Sequence, residues 1–216
     1  MLTFDDLAIP DDWPLLVGVD TGTYMSATIT AFSSDPYAAF VLYEQPNYRY
    51  VGGEIELLDM SNVEWARSVH RAYNVLRPNT TKVHGWVDEN TQFRTELARY
   101  GLALHGNSRK LELRVEIARE YIQAKDPVRF FMAPWLTVLP YEMEHAHWPD
   151  QETTAGKYVR VKQDDHTLDT VEHVLSRRPR ARRVIDKGQE SFIEQYLREH
   201  RRPRFTTGDV HLGIHR

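Results

Sequence analysis

The 216 residues, 41% of them hydrophobic, suffice for one core-forming domain and a tail. A net charge of −4 excludes a globally basic nucleic-acid binder, so any grip on phosphate must come from local patches. The chain has no cysteine, which excludes disulfides, thiolate zinc sites and cysteine nucleophiles.

Residues 1–14 are acidic and carry Pro10 and Pro14, the composition of a linker or lead-in segment. No apolar stretch after Met1 resembles a secretory signal, and no run is long enough to span a bilayer, so no membrane association is expected. Leu15 to Val19 reads as a buried strand ending in the turn Asp20-Thr21-Gly22. Ser26 to Phe32 and Ala38 to Tyr43, parted by Ser33-Ser34-Asp35-Pro36, predict a hairpin. Tyr48 to Leu58 predicts a further strand bent at Gly52-Gly53. Ser61 and Glu64 form a capping box for a helix with an apolar stripe of Trp65, Val69, Tyr73 and Leu76, closed by Pro78. Lys82 to Val87 predicts a strand closed by Asp88-Glu89-Asn90, Thr91 to Tyr100 a helix stopped by Gly101, and Leu102 to His105 a short strand. Leu111, Val115, Ala118 and Ile122 mark a helix, Val128 to Met132 a strand, and Pro134 the start of a short helical piece from Trp135 to Met143. A polar loop spans His145 to Lys157, and Asp165 opens a helix to about Arg178. Ser191 to His200 predicts a terminal helix. Strands with a hairpin followed by alternating helices and strands predict an α/β fold with a mixed sheet. The expected division is a lead-in over 1–14, one domain over 15–178, and a basic segment over 179–216.

Asp20 and Asp88 each end a predicted strand, and Asp165 and Asp169 lie one turn apart on a helix, with Glu172 on the same edge. Strand ends are where α/β sheets present ligand-binding side chains. Carboxylates from separate elements suit hard divalent cations, and two such ions can clamp the attacking and leaving oxygens of a phosphodiester. Each acid also has a structural reading: Asp20 as a turn residue, Asp88 and Asp165 as helix caps, Asp169 on a solvated face. Only a fold that brings them together gives them a shared role.

Four blocks, in order, resemble the nuclease domain of the tailed-bacteriophage terminase large subunit. They are Ile9-Pro10-Asp11-Asp12-Trp13 leading into Gly18-Val19-Asp20-Thr21-Gly22; Val87-Asp88 followed by Phe93 and Glu96-Leu97; Pro140-Tyr141-Glu142 with Trp148 beyond; and Val161-Lys162 followed by Asp165-His166-Thr167-Leu168-Asp169-Thr170. Glu89-Asn90 stands where the family favours Pro-Ser, Thr170 where it favours alanine, and Glu172-His173 where it favours Arg-Tyr. The resemblance spans roughly residues 9–178. It implies an RNase H-like fold and a two-metal endonuclease, dependent on Mg²⁺ or Mn²⁺, that cuts double-stranded DNA with little sequence preference during viral genome packaging. It also implies metal ligation by Asp20, Asp88, Asp165 and Asp169, with His166 near the metals in a catalytic position. The implied partners are a terminase ATPase, a small subunit and a portal, in the cytoplasm of an infected host cell. No G-x-x-x-x-G-K-[ST] occurs, so the packaging motor is missing from this sequence.

Arg177, Arg178, Arg180, Arg182 and Arg183 form a basic run expected to bind DNA, or else a solvated helix end. Arg109, Lys110 and Arg114 form a second basic group. Gly18-Val19-Asp20-Thr21-Gly22-Thr23 is also similar to the first phosphate loop of actin and sugar-kinase ATPases, although no second Gly-rich loop follows. A non-catalytic DNA-binding or packaging module is a further alternative, and a Holliday-junction resolvase would share the acidic logic but require an obligate dimer that the sequence does not reveal.

Overall fold

The structure is a computed structural model and describes residues 9–33, 38–78, 80, 82–125, 129–146 and 165–177, which all belong to the compact unit Met1–Ala181. Its main sheet holds β1 (Leu15–Asp20), β2 (Ser26–Phe32), β3 (Ala39–Glu44), β6 (Gly85–Val87), β7 (His105–Gly106) and β8 (Phe130–Met132) in the order β7-β6-β1-β2-β3-β8. β1, β2 and β3 run antiparallel to one another, while β6 joins β1, β7 joins β6 and β8 joins β3 in parallel. The sheet is mixed, as the order of elements predicts. β4 (Tyr48–Val51) and β5 (Glu54–Leu57) form a separate two-stranded hairpin. The single bent strand expected over Tyr48–Leu58 is therefore two: Gly52 and Gly53 take φ of 61° and 90°, the positive values that a tight hairpin turn demands.

Among the described residues, five helices flank the sheet: α1 (Asn62–Leu76), α2 (Thr91–Arg99), α3 (Leu111–Ile122), α4 (Val138–His145) and α5 (His166–Ser176). Three predicted strands are shorter or shifted. Lys82 and Val83 lie outside β6, and His105–Gly106 replaces Leu102–His105, because Leu102 and Leu104 turn into the core instead of pairing. β8 begins at Phe130. The helix expected from Trp135 begins at Val138, because the Glu44 carboxylate caps the backbone N–H of Val138 and Leu139 at 2.9 and 2.8 Å. The capping box at Ser61 is present in full, with Ser61 accepting from Glu64 N and Glu64 accepting from Ser61 N.

Alternation along β1 sorts the core into two halves. Leu15, Val17 and Val19 join Ile29, Trp65, Val69, Tyr73 and Leu97, the layer that holds α1 and α2. Leu16 faces the other way and joins Val41, Leu139, Leu168, Val171 and Val174, the layer that holds α4 and α5. Asp20 shares the parity of Leu16, so it emerges on the α5 side. Between them lies Gly18, where a Cβ would stand 2.1 Å from the Thr170 carbonyl oxygen and 2.8 Å from a Val174 methyl. Glycine here permits backbone-to-backbone contact between β1 and α5. The tight partner is a carbonyl rather than a movable side chain. Gly18→Ala is therefore expected to cost about 3 kcal/mol in urea unfolding; a loss below about 0.5 kcal/mol would mean that α5 is free to lift from β1.

Candidate active site

Val19 and Val87 are partners in the parallel β1–β6 ladder, so Asp20 and Asp88 leave adjacent strands at the same end of the sheet. Thr21, next to Asp20, donates its hydroxyl hydrogen bond to the Asp88 Oδ2. Asp88 also accepts from the Asn90 backbone N–H at 3.2 Å, and Asn90 in turn caps α2 through Phe93 N at 3.1 Å. The cap of α2 is thus Asn90, which leaves Asp88 outside that role.

α5 approaches from the other side. His166, its first residue, places Nδ1 3.0 Å from Asp20 Oδ2. The rings of Tyr24 and Tyr48 lie 5.4 and 5.8 Å from the imidazole. The hydrogen bond to Asp20 holds the His166 pKa above its ordinary value, against the opposing effect of burial. The Asp165 side chain occupies the N-cap position without capping, and Asp165 and Asp169 are both buried, at 5% and 2% exposure. The solvated face considered for Asp169 is excluded, since every residue from Thr167 to Ser176 is buried. His173, one turn beyond Asp169, lies 3.1 Å from Asn107 Nδ2, and Asn107 N donates to Val87 O at 2.7 Å. The edge of α5 that carries Asp169 thus runs along β6, the strand of Asp88.

The site therefore joins His166 to Asp20 directly, brings Asp88 beside Asp20 through Thr21, and sets Asp165 and Asp169 on the helix that crosses them. These acids offer only oxygen donors, the chemistry that a hard divalent cation takes. Among the described residues, no group of three or more His, Cys, Asp or Glu side chains is drawn close enough to hold an ion. Arg177 is half-buried at the end of α5, with Nε donating to Asn107 Oδ1 at 2.9 Å. Arg178, Arg180, Arg182 and Arg183 lie outside the described residues, as do Trp148, the Val161-Lys162 part of the fourth block and the helix expected over Ser191–His200.

Two residues carry more of this site than the sequence discloses. Glu142 of α4 is 2% exposed and accepts from Tyr48 Oη at 2.6 Å, Tyr50 Oη at 3.2 Å and Leu168 N at 2.8 Å. It satisfies the first turn of α5, which Asp165 does not cap. Its only signal was its place in the Pro140-Tyr141-Glu142 block. Asn107 had none, since Asn followed by Ser after a glycine reads as an ordinary turn.

No family model matches the sequence, and no curated protein sequence matches it. Solved structures do. The nuclease domain of the bacteriophage P22 large terminase matches 77% of this chain and 82% of its own length, at 14% identity and a TM-score of 0.54. The fold is that of a large-terminase nuclease domain. The corresponding domain of bacteriophage SPP1, solved with bound Mn, matches 76% of this chain and 85% of its own length at 13% identity and a TM-score of 0.53. The large terminase of the thermophilic bacteriophage D6E matches 77% of this chain at 15% identity and a TM-score of 0.51. The chain spans 40% of that terminase's length. The α/β class and the resemblance of the four blocks thus agree with the fold. Among the described residues no helix is long and apolar enough to cross a membrane.

Burial raises the Glu142 pKa from 4.5 to about 7, outweighing the three donors and the nearby His166, which favour the charged form. A carboxyl whose folded pKa lies above its unfolded one stabilises most below the unfolded pKa, and that contribution is lost as pH rises through the folded value. Wild-type stability should therefore fall between pH 4.5 and about 7 relative to Glu142→Gln, by up to about 3 kcal/mol. Parallel urea titrations of the two proteins across this window check it, and equal slopes would refute it.

Proposed function

We propose that this chain is a metal-dependent endonuclease that hydrolyses phosphodiesters of duplex DNA with little sequence preference, in the packaging of a viral genome. The observation that carries the reading is the pairing of Asp20 and Asp88 at adjacent strand ends beneath the His166 end of α5. In this reading Asp20, Asp88 and Asp169 hold two divalent ions, Mg²⁺ or Mn²⁺, with Asp165 assisting. The Mn in the SPP1 neighbour supports a cation of this class. Such ions, when bound, lower the pKa of an attacking water and stabilise the leaving 3′-oxygen.

The chain's own residues supply orientation and charge. Asp20 leaves the central strand β1, whose backbone is fixed by ladders on both sides, so its carboxylate is held on rigid scaffold. Thr21 fixes the rotamer of Asp88 through its hydroxyl. His166 donates to Asp20, a hydrogen bond that holds its pKa above the ordinary value, and the imidazolium form offsets part of the negative charge that would otherwise repel a phosphate. Tyr24 and Tyr48 wall the imidazole from water on the hairpin side. The basic residues Arg177, Arg178, Arg180, Arg182 and Arg183 would bind the DNA backbone. Packaging partners of such a nuclease would be an ATPase motor, a small subunit and a portal, acting in the host cytoplasm.

The decisive assay is plasmid cleavage with Mg²⁺, Mn²⁺ or EDTA, for the wild-type protein and for Asp20→Asn, Asp88→Asn and Asp169→Asn. The expected outcome is nicking or linearisation in either metal, none in EDTA, and background cutting by each variant. Cleavage that survives Asp20→Asn would remove the carboxylate pair from the chemistry, and metal-stimulated ATP hydrolysis without DNA cutting would favour the sugar-kinase alternative.

A further inference from the structure

Beside the carboxylates, arginines crowd around a single buried asparagine. Asn107, 4% exposed, follows β7 and spends its backbone N–H and both side-chain polar atoms on its neighbours. Its N–H donates to Val87 O, its Nδ2 lies 3.3 Å from His173 O and 3.2 Å from Ser176 Oγ, and its Oδ1 accepts from Arg109 N at 3.1 Å and Arg177 Nε at 2.9 Å. Arg177 Nη2 also donates to Ser108 Oγ at 3.3 Å. Arg114 Nη1 stands 2.9 and 2.7 Å from the two ring nitrogens of His173. Arg94 Nη1 lies against Gly106, 2.8 Å from where a Cβ would be.

Among the described residues, Arg177 is held by the neutral Asn107 and Ser108 side chains, and no carboxylate pairs with Arg94, Arg109, Arg114 or Arg177. The buried Nε atoms of Arg94 and Arg114 have no hydrogen-bond partner there. Burial, and after it the nearby charge of Arg109, pulls the Arg177 pKa down. Like charges gathered without a counter-ion repel, and the repulsion is tolerated where an anion is to be bound. α3 begins at Leu111 with no side-chain cap, so its first N–H groups open on the same loop.

We propose that the 107–110 loop, Arg109, Arg114 and Arg177 form a binding subsite for a backbone phosphate of duplex DNA, one residue from the Val87-Asp88 step. The proposal rests on the reading of DNA as substrate and adds where the strand is gripped. Asn107 links the subsite to β6 and α5 together, so the gripped phosphate is fixed relative to Asp88 and Asp169. The contact reads no bases, in keeping with binding through the phosphate backbone.

The test is fluorescence anisotropy with a labelled duplex in EDTA, where no cutting occurs, across a range of salt. Wild-type protein, Arg109→Gln, Arg109→Lys and Arg177→Gln would be compared. Loss of one phosphate contact lowers the slope of log K against log salt by about 1 and weakens binding alike on unrelated sequences. Both Gln variants are expected to do this, and Arg109→Lys to restore most of the slope. Arg109 meets Asn107 through its backbone, so its side chain can change without loosening the loop; thermal melting checks this. Unchanged affinity and slope in both Gln variants would overturn the proposal, as would a wild-type protein that binds no duplex at low salt. Binding that depends on these arginines in a protein that cuts with no metal would sink the hydrolysis reading alone. Normal DNA binding and cutting by both Gln variants would sink this proposal alone.

Discussion

The contact on which the architecture depends is the one between Gly18 and the Thr170 carbonyl. A helix normally stands off a sheet by the thickness of the side chains between them. Here one missing side chain lets α5 lie against β1 itself. Ser26 and Thr28 of β2 then reach Thr167 and Thr170 through hydroxyl contacts of 2.8 and 2.7 Å, which fixes the helix along the strand direction. With depth and register set, His166 arrives at Asp20 and the Asp169 edge follows β6.

The same closeness imposes a cost. α5 is buried on all sides, packed between β1, β2 and β6 and the helices α3 and α4, yet it carries Thr167, Asp169, Thr170, Glu172, His173 and Ser176. Burying polar groups is unfavourable unless each finds a partner. The fold answers at both ends. Glu142 closes the N-terminal turn from α4, and Asn107 engages His173 and Ser176 near the C-terminal turn. Asn107 lies on no element that the sequence marks as functional, and Glu142 is marked only by its place in the Pro140-Tyr141-Glu142 block.

What the sequence discloses follows from the range of the forces involved. The β2–β3 hairpin, the α1 capping box and the positions of α2 and α3 are written in neighbouring residues and are legible. β6 and β7 are less so, because strands of three and two residues owe their existence to the ladder beside them rather than to their own propensity. The β4–β5 turn is visible as Gly52-Gly53, but glycine suits a bend as well as the positive φ of a hairpin turn, and the pairing of Tyr48–Val51 with Glu54–Leu57 decides between them. Asp20, Asp88 and His166 could be singled out as acids and a histidine at element ends, and through the resemblance of their blocks. Their meeting could not, since it depends on the β1–β6 register and on Gly18, which looks like any glycine in a strand. Asn107 and the capping role of Glu142 are hidden because capping at long range leaves no local pattern.

His166 is 146 residues along the chain from the Asp20 it binds. A ribosome adding about 5–20 residues per second needs roughly 7 to 30 s to cover that distance. Through that interval the first strands can pair while the helix that completes the cleft has not yet been made. The contact between Asp20 and His166 forms only when the last described helix docks, so the order of synthesis itself delays the closing of this site until the frame that holds it is complete.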